Sequence, residues 1–366
     1  MRNESIGQRL RAEFGKKVYK LSLDIGCTCP TRDGTKGSRG CIFCSQAGSG
    51  DFAERFTGKQ EELDRAKARL RGKIDTESSG FIAYFQNFTN TYAPVNYLEP
   101  LFESALRDPS VVALSIATRP DCLGADVVNM IRRLCDRTIV FVELGLQTIH
   151  PATAAFIRRG FELAEYDRAV TELRAAGARV VTHLIFGLPY PVPGEKICAE
   201  EFSREKLYAG EFFRGKIYAG EFSRNNFPGK NREISEPGSL TPGTYKLALE
   251  SREMMLESVR YVVRSGIDGV KFQLLQVLKG TDLAELYLKG AFRTLTFDEY
   301  TEIITEAVNL LPPDIAVHRF TGDPPRRLLI APEWCTDKKR VLNAINQKLS
   351  RPHASRSVDE TPENCP

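Results

Sequence analysis

The chain switches between two hydrophobic periods, and it does so six times. Short runs rich in β-branched and aromatic residues recur at 18–26 (VYKLSLDIG), 81–86 (FIAYFQ), 111–118 (VVALSIAT), 138–147 (TIVFVELGLQ), 178–188 (ARVVTHLIFGL) and 269–278 (GVKFQLLQVL). Several are apolar almost throughout, the composition of strands covered on both faces. Amphipathic helical patterns separate or follow them at 59–73, 97–108, 125–136, 151–177, 245–266 and 297–311. The pattern at 151–177 should break near Gly160. Strand then helix, repeated in this way, predicts an α/β protein whose parallel sheet is either open or partly closed into a barrel.

Polar residues gather where these strands end. The first runs into a cysteine-rich loop, the second into QNFTNTYAP and the third into TRPD. The fourth ends in Gln147, the fifth in GLP, and the sixth leads towards KGTD. The C-terminal edge of a parallel sheet is where such folds bind ligands, so six polar strand ends point to an active-site mouth. One region breaks the alternation: 201–210, 211–220 and 221–230 repeat with a period of ten (EFSREKLYAG, EFFRGKIYAG, EFSRNNFPGK). Three copies that short cannot build a solenoid, so they read as an expansion within the loop after the fifth strand.

At 366 residues and 42% hydrophobic, the chain can bury one large or two moderate cores. No run approaches the length of a membrane helix, and the N-terminal segment has no apolar centre of the signal-peptide kind. A cytoplasmic protein is expected, with no membrane partner. The net charge of +4 is a mild basic excess, weak support for an RNA or other anionic partner. Nine cysteines in such a chain argue for metal or redox use of a subset rather than a disulfide framework. Cys122, Cys135, Cys198, Cys335 and Cys365 are scattered singly and read as packing residues. Four others crowd into the segment from Cys27 to Cys44.

In that segment Cys41 and Cys44 form a C-x-x-C pair, and eleven residues separate Cys29 from Cys41. Thiolates serve both zinc and iron–sulfur clusters. A structural zinc site would need Cys27 as a fourth ligand, through an unusual C-x-C half-site. An iron–sulfur cluster held by three cysteines leaves one iron open to a small molecule. S-adenosylmethionine (SAM) suits that vacancy, since its amino and carboxylate groups can chelate the iron and place the sulfonium beside a reductant. Spacing alone leaves iron–sulfur with SAM, zinc, and reduced structural thiols all open.

Beyond the cysteines, CPTRDGTKGSRGCIFC, YFQNFTNTYAP, ATRPDC, ELGLQTIHPATAAFIRRG, HLIFGLP, VLKGT and HRFTGDPPRRLLIAPEW follow one another in order. With these motifs the chain resembles radical SAM proteins, specifically a bacterial subfamily with a C-x11-C-x2-C motif. Its wider relatives include the elongator catalytic subunit and oxygen-independent coproporphyrinogen oxidase. The resemblance runs from about Val18 to Asn346. It implies a partial (β/α)6 TIM-like barrel with a C-terminal extension. The implied divisions are an N-terminal extension at 1–17, a core barrel at 18–290 with the repetitive insertion at about 196–245, a C-terminal segment at 291–350 and a disordered tail at 351–366.

The resemblance implies that Cys29, Cys41 and Cys44 ligate a [4Fe–4S] cluster, with Cys27 a neighbour rather than a ligand. It places Asn87 to Asn90 near the methionyl amino group of SAM. Thr118, Arg119 and Glu143 would face the same cavity, and Gln147 would bind the ribose or methionyl part. Arg159 would pair with the methionyl carboxylate, and Gly187 would let the backbone approach the adenine. The implied activity is reductive cleavage of SAM and hydrogen abstraction from a substrate. A one-electron reductant of the flavodoxin or ferredoxin type would be needed, and the elongator relatives make RNA a conceivable substrate. Four positions depart from the pattern: Gln273, Gln276 and Phe161 stand where histidines are expected, and Arg158 where an asparagine is. His150 and His183 read equally as pocket or packed residues. The competing class is a non-catalytic scaffold, stabilised by zinc or a cluster, that binds nucleic acid or protein.

Overall fold

A computed structural model describes residues 5–46, 48, 53–72, 74–192 and 247–350. In chain order, the elements of the first half are α1 (Ile6–Phe14), β1 (Val18–Asp24), β2 (Glu54–Arg55), α2 (Gln60–Ala68), β3 (Gly80–Phe85), α3 (Val95–Ala105), β4 (Val111–Thr118), α4 (Ala125–Cys135), β5 (Ile139–Gln147), α5 (Pro151–Phe156), α6 (Leu163–Ala175) and β6 (Arg179–Phe186). Then follow β7 (Pro189–Pro191), β8 (Leu247–Leu249), α7 (Arg252–Arg264), β9 (Gly269–Leu274), β10 (Val277–Leu278), α8 (Asp282–Leu288), α9 (Phe297–Asn309), β11 (Ala316–Arg319), β12 (Leu329–Ala331) and α10 (Lys338–Ser350).

All six expected strands are present, joined in one parallel sheet of order β11-β9-β6-β5-β4-β3-β1-β2. The near-continuous apolar runs have their cause in double coverage: all six residues of β3 are buried. Phe81, Ala83 and Phe85 enter the large core shared with the helices, whereas Ile82 faces the other way. On that inner face Ile82, Ala113, Phe141 and Val181 come from four successive strands and close around Leu10 of α1. Higher on the same face, Lys20 of β1 and Lys271 of β9 both reach the carboxylate of Glu143 on β5. Strands five places apart in the sheet meet at one side chain, so the sheet curls into a partial barrel.

Several local expectations need correction. The helix expected from 245 starts later, because Leu247–Leu249 is extended and Ser251 caps α7 by accepting from the Met254 N–H at 3.2 Å. The expected break near Gly160 is real: Arg158 and Gly160 take φ of +57° and +76° between α5 and α6. The sixth strand ends at Leu274, and Val277–Leu278 turns away to pair antiparallel with β12. The segment expected to be a plain N-terminal extension contains α1, whose Ser5 and Gln8 form a capping box. The chain divides into two units, Met1–Tyr190 with Ala248–Pro366, and Pro191–Leu247. The expected insertion at 196–245 with its repeats, and the expected tail at 351–366, lie outside the described residues.

Candidate active site at the C-terminal edge of the sheet

The loop leaving β1 is shaped by its own backbone. The Arg32 N–H donates to the Cys29 carbonyl at 2.8 Å, Lys36 N–H to Pro30 at 2.7 Å and Gly40 N–H to Thr31 at 2.7 Å. Gly40 is required twice over, since its φ is +72° and a Cβ there would lie 2.8 Å from Arg32 Nε. That guanidinium donates to the Ser45 carbonyl at 2.7 Å and the Cys44 carbonyl at 3.2 Å, folding the two ends of the loop together. Ile42 ties the cysteine pair to the barrel, donating to Ile157 at 3.3 Å and accepting from Leu283 of α8 at 3.0 Å.

The structure places the three expected thiols on one loop at the sheet edge. Cys29 Sγ lies 3.2 Å from Thr31 Oγ1, and Cys41 Sγ lies 3.7 Å from the Arg158 carbonyl. Cys41 and Cys44 share a hydrogen bond that pushes the Cys41 thiol well up and the Cys44 thiol down. The Arg32 charge adds to the lowering of Cys44. Cationic surroundings of this kind favour the thiolate, the form that binds metal. Cys27 is different: 7% exposed, it packs in the apolar core, and burial with the nearby Asp24 charge pushes its thiol up to about 12. Among the described residues no three His, Cys, Asp or Glu side chains gather closely enough to hold one metal ion. A zinc ion would need its ligands about 2.0–2.3 Å away.

Around the thiols, three expected SAM contacts each carry a buried oxygen without a partner: Asn87 Oδ1, Asn90 Oδ1 and Gln147 Oε1. Their remaining atoms are fixed. Asn87 Nδ2 donates to Asp24 at 3.0 Å, and Asn90 Nδ2 to the Phe85 and Ala117 carbonyls, both at 2.9 Å. Gln147 follows a bulge in the β5–β6 pairing and takes φ +67°. Its amide folds back over Gly145, where a Cβ would stand 2.7 Å from Nε2. Among the described residues the non-glycine residues with positive φ are Phe88, Gln147 and Arg158, and all three lie at this edge. Unpaired buried acceptors and backbone strain are features that ligand sites commonly show together.

Other expected contacts are otherwise engaged. Thr118 Oγ1 is 2.5 Å from Thr91 Oγ1. Arg119 is held bidentate by Asp121 at 2.9 and 2.8 Å, and Lys36 reaches the same carboxylate at 2.7 Å. Arg159 is buried and spends its guanidinium on backbone: it donates to Thr148 at 2.6 Å, Leu146 at 3.3 Å and Phe161 at 2.9 and 3.2 Å. It buckles the end of β5 to the α5–α6 turn, where a free partner for a carboxylate was expected. Burial lowers it to about 10. Phe161, an expected histidine, lies under this guanidinium at 4.3 Å. Gly187 meets the chain itself, since a Cβ there would lie 3.0 Å from Leu295. His150 is a packing residue bonded to the Met254 carbonyl at 2.8 Å.

Glu143 is the largest departure. It accepts from Tyr84 at 3.0 Å, Ser115 at 2.9 Å and Lys271 at 2.5 Å, besides Lys20. Despite burial, the two lysine charges hold its carboxyl well below the usual range. The residues around it were missed because each sits alone between apolar neighbours, and only the barrel's register brings them together.

An α/β barrel with three thiols on the loop after its first strand is the framework of an enzyme that keeps an iron–sulfur cofactor at the sheet edge. The Radical SAM superfamily model matches residues 34–195 and the Radical_SAM C-terminal domain model matches 267–351. The chain belongs to the radical SAM superfamily, whose enzymes use a [4Fe–4S] cluster and SAM. It is 38% identical to the uncharacterised protein YtqA of Bacillus subtilis, over 95% of this chain and 89% of that one. It is 28% identical to YhcC of Escherichia coli, over 94% and 91% of the two chains. In fold it is similar to Elp3 of Methanocaldococcus infernus, with a TM-score of 0.56 at 16% identity, covering 91% of this chain and 64% of that one.

Proposed function

We infer that the chain cleaves SAM reductively and uses the product to abstract hydrogen from a substrate, with Cys29, Cys41 and Cys44 as the cluster ligands. One observation carries this reading: three thiols in a cationic loop share the sheet edge with three buried, unpartnered amide oxygens. When bound, a [4Fe–4S] cluster supplies the electron that breaks a carbon–sulfur bond of SAM. The protein's part is placement. Asn87, Asn90 and Gln147 offer acceptors for the amino group and ribose hydroxyls of the nucleoside. Arg32 lies beside Cys44 and Arg158 beside Cys41, and the Arg119–Asp121 pair fixes a charge beside Cys29 and Cys41. Arg159 serves as scaffold in this reading, and Arg32 and Arg158 are the arginines whose charges bear on Cys44 and Cys41.

Residues 18–290 form the core of this reading, with β11 of the 291–350 segment completing one edge of the sheet. The reading also implies a flavodoxin- or ferredoxin-type reductant and a cytoplasmic setting that keeps thiols reduced. Among the described residues no helix is long and apolar enough to cross a membrane.

Anaerobic reconstitution tests the proposal. Brown protein with about four irons per chain should release 5′-deoxyadenosine from SAM under dithionite. Gln147→Ala and Asn90→Ala should bind the cluster yet lose at least about tenfold in SAM affinity, the effect of one or more hydrogen bonds. Colourless protein with stoichiometric zinc would leave the scaffold reading in its place.

A further inference from the structure

The inner face of the barrel carries more positive charge than its own residues balance. Lys20, Lys271 and Arg319 come from β1, β9 and β11, and both lysines share Glu143. Among the described residues Arg319 contacts no carboxylate: its Nη2 donates to Gln273 Oε1 and lies 3.4 Å from His183 Nε2. Its Nε is buried with no partner. A partly buried cation whose donor atoms lack a partner loses solvation it would keep in water, so such groups are normally paired.

We propose that the barrel lumen above Glu143 binds an anionic group of the substrate, a carboxylate or a phosphate, gripped by Arg319 with Lys271 and His183 beside it. The proposal rests on the radical SAM reading above and names the substrate class of that site. Its geometry follows from the strand pairing, in which Lys271 is paired with both His183 and Arg319. Arg319, Gln273 and His183 are half-buried, so they form the accessible mouth, while Lys271 and Glu143 are closed off beneath.

Above Glu143 on β5 comes Gly145, which adds no side chain to the lumen, and then Gln147, whose amide lies across it. A substrate anchored at Arg319 would therefore extend towards the candidate nucleoside site. Gln273, where the family resemblance led to a histidine, has a defined task in this arrangement: its amide oxygen holds the guanidinium without neutralising it. Gly322 makes room for it, because a Cβ there would stand 2.1 Å from Gln273 Oε1. The surrounding charges agree. Burial, with Arg319 and Lys20 adding, pushes Lys271 down to about 7, and burial and Arg319 push His183 well down. A site already crowded with cations favours an anion.

The test uses cluster-reconstituted full-length protein, titrated with inorganic phosphate and separately with acetate at constant ionic strength set by chloride. One of the two anions should raise Tm saturably by roughly 2–4 °C, and which one does so identifies phosphate or carboxylate as the partner. The surface variant Lys339→Gln should keep that rise and Arg319→Gln should lose it. Gln273→Glu supplies the missing negative charge within the chain. It should melt above wild type and no longer respond to either anion, which keeps the test decisive if Arg319→Gln does not fold. No saturable response in wild type, or an unchanged response in Gln273→Glu, would overturn the proposal. Cluster content and substrate-free SAM cleavage are measured on the same samples. Their loss in wild type would count against the radical SAM reading, and their presence without an anion response would count against the lumen site alone.

Discussion

Among single side chains, the four clustered cysteines separate by what surrounds them. Cys29→Ala, Cys41→Ala and Cys44→Ala should each abolish cluster absorbance and SAM cleavage. Cys27 packs against apolar residues, so Cys27→Ala should keep both at a stability cost of about 1 kcal/mol, read from urea unfolding. Lys271 makes a second, pH-dependent prediction. Its folded value of about 7 lies below the unfolded lysine value of about 10.4. The unfolded chain then holds more protons between those limits, so stability rises with pH across that window. Wild type should gain about 1–2 kcal/mol from pH 7 to pH 9, and Lys271→Met should lose that pH-dependent gain. Glu143 acts in the same direction at lower pH, its contribution complete above the ordinary carboxylate range and lost as pH falls below it.

Individual elements show what could be read without coordinates. The six central strands were legible because burial on both faces leaves an apolar run that no turn signal interrupts. Edge strands are not marked in this way: β2 is the charged pair Glu54–Arg55, and β11 is four residues containing His318 and Arg319. Helix α1 escaped notice because Leu10 is the one residue it buries fully. Yet Leu10 fills the closed end of the barrel, so Leu10→Ala should cost about 2–5 kcal/mol in urea unfolding. Ser5→Ala, which removes only the cap, should cost about 1 kcal/mol. In the candidate site, the cysteine loop was legible from spacing and the place of Asn87, Asn90 and Gln147 at the sheet edge from the polar strand ends. The role of Arg159 was not, because neighbours along the chain do not reveal which carbonyls a guanidinium will meet after folding. The lumen charges were hidden for the same reason.

For the whole molecule, the catalytic framework reads as one unit formed before and after an interruption in sequence. β6 pairs directly with β9 although more than eighty residues lie between them in the chain. Removing 201–230 should therefore leave cluster content at the wild-type level, measured as iron per chain; failure to fold would make those residues part of the core. The Glu143 cluster bears on the same framework from inside. Neighbouring strands fix their spacing through backbone bonds, but the gap across the curl is spanned by two lysines meeting one carboxylate. The aperture of the lumen is thus gauged by ionic side chains, so exchanging those three residues for others of different reach offers a way to widen or narrow the bore without redrawing any strand.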